Sequence, residues 1–409
     1  MYPSVQFFLQ LALILLACRA FGYLAQRVGQ PQVIGEMVAG IALGPSLFGL
    51  LLPEAQAWFF PKDSLKTLFI LAQFGVGLYM FVVGLGFKRD LLAQHGKAAT
   101  AVSLAGMLVP FALGAALAGW LLGQPGMFSA KVTYGEAALF MGAAIAITAF
   151  PMLARIIHER GLTGSPIGAL ALTAGAVDDA AAWCLLAMVL ASFGGDRDIA
   201  VLAIGGGLLF AVLMLTLGPR MLRPLATWFE RDGQVTAPLL TVTLLLYALC
   251  ALAMDVVGIH AVFGGFMLGV AMPRGKVADA LRAQIEPITV ALFLPFFFTY
   301  SGLNTRLDLV NSLALLSVAV VVLAASVLGK GVACYGAARW FGHSHRSAIA
   351  VGALMNARGL MELIILNIGL QRGVIGPELF SIMVVMAVVT TLMATPVFEW
   401  ALGKSTIRR

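Results

Sequence analysis

A chain of 409 residues that is 61% hydrophobic and only 11% charged, with a mean hydropathy of +0.97, is not an ordinary soluble domain, which carries about 25% charged residues. The net charge of +7 does not mark a nucleic-acid binder either, because the basic residues lie in short loops between apolar stretches, where membrane topology explains them. Composition therefore describes an all-α polytopic membrane protein with little chain left over for a soluble domain.

Thirteen apolar segments follow one another, at about 5–26, 32–51, 65–87, 98–122, 135–157, 165–191, 199–219, 236–254, 258–273, 286–303, 309–337, 346–370 and 377–401. Their lengths suit helices crossing a hydrocarbon core about 30 Å thick. No basic stretch precedes the first segment, so it reads as a span and not as a cleaved signal peptide. The fifth contains Thr148 and Pro151, and the tenth is interrupted by Pro287 and Pro295. Cys18, Cys184, Cys250 and Cys334 fall inside the segments without metal-ligand spacing and read as small packing residues. With the amino terminus outside, seventeen of the 26 basic residues fall in inside loops and the tail, six fall in outside loops, and Arg19, Lys330 and Arg358 remain in spans. That asymmetry obeys the positive-inside rule, and one span more or fewer would scramble it.

Short motifs recur seven segments apart. Gly40-Ile-Ala-Leu-Gly44 echoes Gly265-Phe-Met-Leu-Gly269. Gly84-Leu85 before Asp90-Leu91 echoes Gly302-Leu303 before Asp308-Leu309, and Arg160-Gly161 echoes Arg372-Gly373. An odd offset means oppositely oriented copies, the inverted-repeat plan of transporters whose substrate site lies at the repeat interface. The expected organisation is a single transmembrane domain over 1–409, with one repeat at about 32–191 and the other at about 258–401.

Chemistry concentrates in the sixth segment. Asp178 and Asp179 sit near its middle, where insertion scales charge roughly 2.5–3.5 kcal/mol for one Asp. Intramembrane acids normally face a wet or protein-lined interior and mark ion or proton pathways. Neighbouring helical residues point about 100° apart, so one carboxylate can bind an ion while the other pairs sideways. Lys330, deep in the eleventh segment, needs a carboxylate partner or must snorkel to the cytoplasmic end. Around Thr148 and Pro151, a proline that removes a backbone donor frees carbonyls that can coordinate a cation beside the hydroxyl. In the twelfth segment Arg358 and Glu362 are four apart and can pair on one helix face, and Gly359 can mark a matching break. Glu36 reads as a packing or interfacial residue more than a ligand. His95, His158, His260, His343 and His345 lie at loops or span ends, where solvated histidines are the default.

Four stretches, Gln30-Pro-Gln-Val-Ile-Gly-Glu36 through Gly44-Pro-Ser, Ile147-Thr-Ala-Phe-Pro-Met-Leu-Ala-Arg155, Ala176-Val-Asp-Asp-Ala-Ala-Ala-Trp183 and Met355-Asn-Ala-Arg-Gly-Leu-Met-Glu-Leu363, resemble the monovalent cation:proton antiporters of the Kef/CHX type, in family order and over nearly the whole chain. The resemblance implies the sodium/proton antiporter fold of thirteen spans, a dimerisation panel, and a mobile core with two broken, crossing helices, here the fifth and twelfth segments. It makes Asp179 the carrier of cation and proton, Asp178 the partner of Lys330, and Thr148 the hydroxyl beside the ion. Asp179, Asp178 and Thr148 are thus the candidate ion- and proton-binding set, with Arg358 and Glu362 as a structural ion pair at a broken helix. Potassium-efflux members of the Kef type carry His and Gln in place of the acidic pair and add a nucleotide-binding domain; this sequence departs from both features, which argues against glutathione gating.

The implied activity is secondary antiport of Na+, K+ or Li+ against protons, with no enzymatic step and no cofactor. The implied partners are the cation, protons, the lipid bilayer and a second copy of the chain, and the expected location is the bacterial inner membrane with the carboxy terminus in the cytoplasm. Three rivals carry less. An intramembrane aspartyl protease needs two acids from different helices, whereas these are adjacent on one. A passive channel lacks a filter-like loop. A sodium-coupled organic-anion symporter wants fewer buried acids and more polar residues at the breaks.

Overall fold

The computed structural model describes residues 3–86, 96–162, 165–192, 197–257 and 261–403. Asp90, Leu91, His95, His260 and the basic tail lie outside the described residues, as do the side chains of Pro151, Arg155, His158, Asp179, Trp183 and Cys184. The described chain is helical, with one isolated antiparallel bridge between Phe128 and Ile375. Each of the thirteen apolar segments falls on helix. Among the described residues, eight helices are long and apolar enough to cross a bilayer, or nine if Gly205–Thr216 and Gly218–Asp232, bent by 51°, form one span. Other segments arrive in shorter pieces. The fifth is Tyr134–Ala146 and Phe150–Glu159, and the twelfth is His345–Met355 and Leu360–Gln371. An interruption of a few residues leaves composition unchanged, so hydropathy sees one apolar run where the backbone makes two helices.

The chain forms two compact units: Met1–Leu16, Trp58–Phe87 and Leu190–Tyr300 in one, and Ala17–Ala57, Lys88–Val189 and Ser301–Arg409 in the other. In the first, helix Lys62–Leu85 packs on Ala261–Ala271 with glycines at the crossing. A Cβ on Gly84 would overlap the Phe266 carbonyl, and one on Gly269 the Phe81 carbonyl, so the glycine spacing sets how closely the backbones approach. Phe81, Leu239, Tyr247 and Leu281 fill the core beside this crossing. In the tenth segment, Pro287 closes Lys276–Ile288, and a π-helical turn at Thr289–Phe293 joins it to Leu294–Leu303, as expected where proline removes a ladder donor.

In the second unit the same glycine contact recurs with its partners exchanged. Gly44 meets the Gly302 carbonyl, and a Cβ on Gly302 would overlap the Gly40 carbonyl. Motifs that echo one another in the sequence thus pair crosswise, Gly44 with Gly302 and Gly84 with Gly269. The third echo is a shared helix stop. Gly161 and Gly373 take φ +68° and +65°, and the next N–H reaches back five residues, Leu162 to Ile157 O at 2.9 Å and Val374 to Gly369 O at 2.8 Å. This is the left-handed C-terminal cap that favours glycine. Because the carbonyl facing Gly302 is backbone and cannot rotate away, Gly302→Ala should lower the thermal unfolding midpoint in detergent. The cost should reach at least the ~1–3 kcal/mol of ordinary overpacking. Gly336→Ala, on a helix with nothing within 4 Å of the new methyl, should leave the midpoint unchanged or raise it slightly.

Candidate functional site

The residues singled out for chemistry lie in the second unit. The first broken span begins at a capping box, in which Thr133 N–H donates to Glu136 Oε2 at 2.7 Å while the Thr133 hydroxyl accepts from Glu136 N–H. This satisfies two of the helix's free donors. The helix ends at Ala146, residues 147–149 are extended, and Phe150–Glu159 restarts with Pro151 in its first turn, where a missing N–H costs no intrahelical bond. The second broken span repeats the plan. His345–Met355 ends in a turn at Asn356, residues 357–359 are extended, and Leu360–Gln371 follows. The two extended pieces are joined by a backbone bond, Ala149 N–H to Ala357 O at 3.1 Å.

A helix that stops inside a membrane leaves four carbonyls without partners and a partial negative charge at its end. At the end of Tyr134–Ala146, two cations fill that role. Arg358 donates from Nη1 to Ala144 O at 2.8 Å and Ile147 O at 3.4 Å, and from Nη2 to Ile145 O at 2.5 Å. Lys330 Nζ donates to Ala146 O. The sequence left these carbonyls open to a cation; in the structure protein side chains occupy them, because guanidinium and ammonium donors satisfy carbonyls that no water reaches. Arg358 also pairs with Glu362, Nη1 to Oε2 at 3.3 Å, and both side chains are buried. Thr391 holds the Arg358 backbone by accepting its N–H at 3.0 Å.

Asp178, on helix Pro166–Ser192, is fully buried at this crossing. Its Oδ1 accepts from the Ser103 hydroxyl at 2.6 Å. Its Oδ2 lies 2.6 Å from the Thr148 hydroxyl and 3.0 Å from Lys330 Nζ. Thr148 also faces Met355 O at 3.1 Å, so one hydroxyl touches the acid and both broken spans. Lys330 is buried in helix Leu313–Trp340; it does not snorkel, because its charge is matched in place by Asp178. Asp179 follows Asp178 in the same helix, and its side chain lies outside the described ones. Glu36 is buried away from this cluster and accepts from Gln32 at 2.7 Å. His343 and His345 are solvent-accessible, the first in a loop and the second at the start of a helix.

The structure thus brings Thr148, Asp178 and Lys330 together and pairs Arg358 with Glu362. Sequence inspection missed Ser103 and Thr391. Buried hydroxyls are common in apolar helices, and nothing in the local pattern separates these two from the rest. The capping role of Arg358 had one available signal: an arginine in a broken apolar segment must find more acceptors than a single Glu provides, since it carries five N–H donors.

Residues 12–404 match the family described as sodium/hydrogen exchanger, transmembrane. The Na+/H+ antiporter NhaS4 of Synechocystis is 40% identical over 383 residues, covering 92% of each chain. Cation/H+ antiporter 18 of Arabidopsis thaliana is 37% identical over 95% of this chain and 48% of its own length, and K+/H+ antiporter 1 of Saccharomyces cerevisiae is 31% identical over 97% and 46%. The chain therefore spans about half the length of these two relatives. Among solved structures, the sodium proton antiporter MjNhaP1 of Methanocaldococcus jannaschii aligns over 98% of both chains with a TM-score of 0.69 at 14% identity, a likeness of fold.

Proposed function

This chain belongs to the transmembrane sodium/hydrogen exchanger family, and from that premise we propose that it exchanges a monovalent cation for protons at Asp179 while Asp178 holds the crossing together. The commitment of Asp178 carries this reading. Both its oxygens are engaged, by Ser103, Thr148 and Lys330, so the acid beside it is the one left to trade its counter-ion. The buried pairs Asp178–Lys330 and Arg358–Glu362 cancel in formal charge. On this reading Asp179 supplies one further negative charge, and one proton or one monovalent cation neutralises it. Binding is mutually exclusive because a protonated carboxyl has lost the charge that draws the cation. A core neutral in either loaded form, and charged when empty, crosses the membrane loaded.

Lys330 sets the stoichiometry. While it stays bonded to Asp178 and Ala146, exchange is one proton per cation and electrically silent. Release of its proton on ion binding makes two protons per cation, and turnover then moves charge. The basic-residue asymmetry supports an outside amino terminus, and we assign the protein to a bacterial inner membrane as a homodimer. Proteoliposomes loaded with an acid interior provide the test. Added singly, at least one of Na+, K+ and Li+ should collapse the pH gradient; a protein inert to all three is not this exchanger. A voltage-sensitive dye in the same vesicles separates the two stoichiometries.

A further inference from the structure

Asn356 at the second break and Ser326 on the helix that carries Lys330 each hold a buried oxygen without a hydrogen-bond partner. Asn356 follows Met355, whose carbonyl faces Thr148. Its amide nitrogen donates to Gly352 O at 3.0 Å and to Val327 O at 3.4 Å. These bonds fix the amide's orientation, since a flipped amide would set its oxygen against two carbonyls. The oxygen that results, Oδ1, is buried and makes no hydrogen bond. Ser326 is fully buried on the helix that carries Lys330, one turn before it and next to Val327. Its hydroxyl also makes no hydrogen bond. A buried helical hydroxyl ordinarily turns to the carbonyl four residues back, as Thr173, Thr243, Thr289 and Thr391 do in this chain. Ser326 does not.

A buried acceptor without a donor is expensive, and each of these two oxygens calls for an occupant. Asn356 bonds the lysine helix at Val327, the residue after Ser326, and lies against Gly331, and Ser326 precedes Lys330 by one turn on that helix. The two atoms are hard, neutral oxygens of the kind that replace water around a small cation. We propose that Asn356 Oδ1 and Ser326 Oγ are neutral ligands of the transported cation and set its selectivity. This rests on the exchanger reading above and adds the residues that discriminate between ions. A carboxylate draws any monovalent cation and a proton alike. Neutral oxygens discriminate, because their number and field strength decide which ion loses least on leaving its hydration shell. A proton held on a carboxylate does not use them.

The test compares Ser326→Ala and Asn356→Ala with Thr395→Ala in proteoliposomes, reading KM and maximal rate for Li+, Na+ and K+. Ser326 gives up no hydrogen bond of the fold, so its variant folds even if Asn356→Ala, which loses two, does not. Ser326→Ala should raise KM for the preferred cation about tenfold and change the ratio among the three cations while keeping the maximal rate. Thr395→Ala, which removes another buried and unpartnered hydroxyl, on the last helix, should change neither. Ser326→Ala with unchanged KM values and ratios overturns the proposal, as does an equal shift in Thr395→Ala. An unmodified protein that exchanges none of the three ions overturns the exchanger reading and this proposal with it.

Discussion

Asp179→Asn should bring exchange down to the leak of empty vesicles while leaving the protein folded. The substitution keeps side-chain size and changes one charge. The bonds that Asp178 makes to Ser103, Thr148 and Lys330 from helix Pro166–Ser192 involve a residue that the substitution leaves in place. On the proposed assignment, what disappears is the charge that offsets the cost of stripping water from an ion in mid-membrane. That cost is several kcal/mol per uncompensated ion even after relaxation, and about 1.4 kcal/mol is a factor of ten, so the expected loss exceeds about a thousandfold. Two measurements separate this from simple damage. The thermal midpoint of the variant without ions should match that of the unmodified protein. The rise in midpoint that Na+ or K+ gives the unmodified protein, through binding the folded state alone, should be absent. A variant that keeps both the ion-induced shift and the transport rate would remove Asp179 from the mechanism.

Lys330→Met should unfold at a much lower temperature than the unmodified protein, and the double variant Lys330→Met with Asp178→Asn should recover most of the loss. The pair is fully buried at 3.0 Å. Removing one member of such a pair strands the other charge and costs about 3–5 kcal/mol, whereas replacing both with neutral groups of similar volume is often tolerated. Recovery should be incomplete, because Ala146 O loses its Lys330 donor in both variants and an unmade buried hydrogen bond costs about 1–3 kcal/mol. Unfolding midpoints in detergent, ordered unmodified, double, then single variants, test the scheme. Equal midpoints for the single variant and the unmodified protein would mean that the pair does not hold helix Pro166–Ser192 against helix Leu313–Trp340.

The breaks were legible because proline and an off-pattern polar residue stand out in an apolar run. Thr148 with Pro151, and Arg358 with Gly359, flagged the interruptions that the structure places at 147–149 and 356–359. The Asp178–Lys330 partnership was legible for a similar reason: a buried ammonium needs an anion, and the sixth segment offers two. Which of two adjacent acids takes the lysine is a different kind of question. It depends on the rotation of one helix by about 100° and on where Ser103 and Thr148 stand; the residues by themselves left it open, and only the family resemblance pointed to Asp178. The glycine echoes lay between these cases. Their recurrence was visible, but that Gly44 meets Gly302 while Gly84 meets Gly269 emerges only when the segments are assembled.

Composition and loop charge alone determined that this is a many-spanning helical membrane protein, because lipid admits only backbone that satisfies itself, and an excess of buried charge demands a reason wherever it occurs. The motifs then determined the family and the candidate acids. The resemblance already implied Asp178 as the partner of Lys330; the tertiary structure alone decided that the helix end at Ala146 is capped by Lys330 and Arg358, that Ser103 and Thr148 also hold Asp178, and that Ser326 and Asn356 are left with unpaired oxygens. Those outcomes depend on distances of a few ångströms between segments as far as 214 residues apart in sequence, set by how closely glycine-lined helices approach and not by any residue's immediate neighbours.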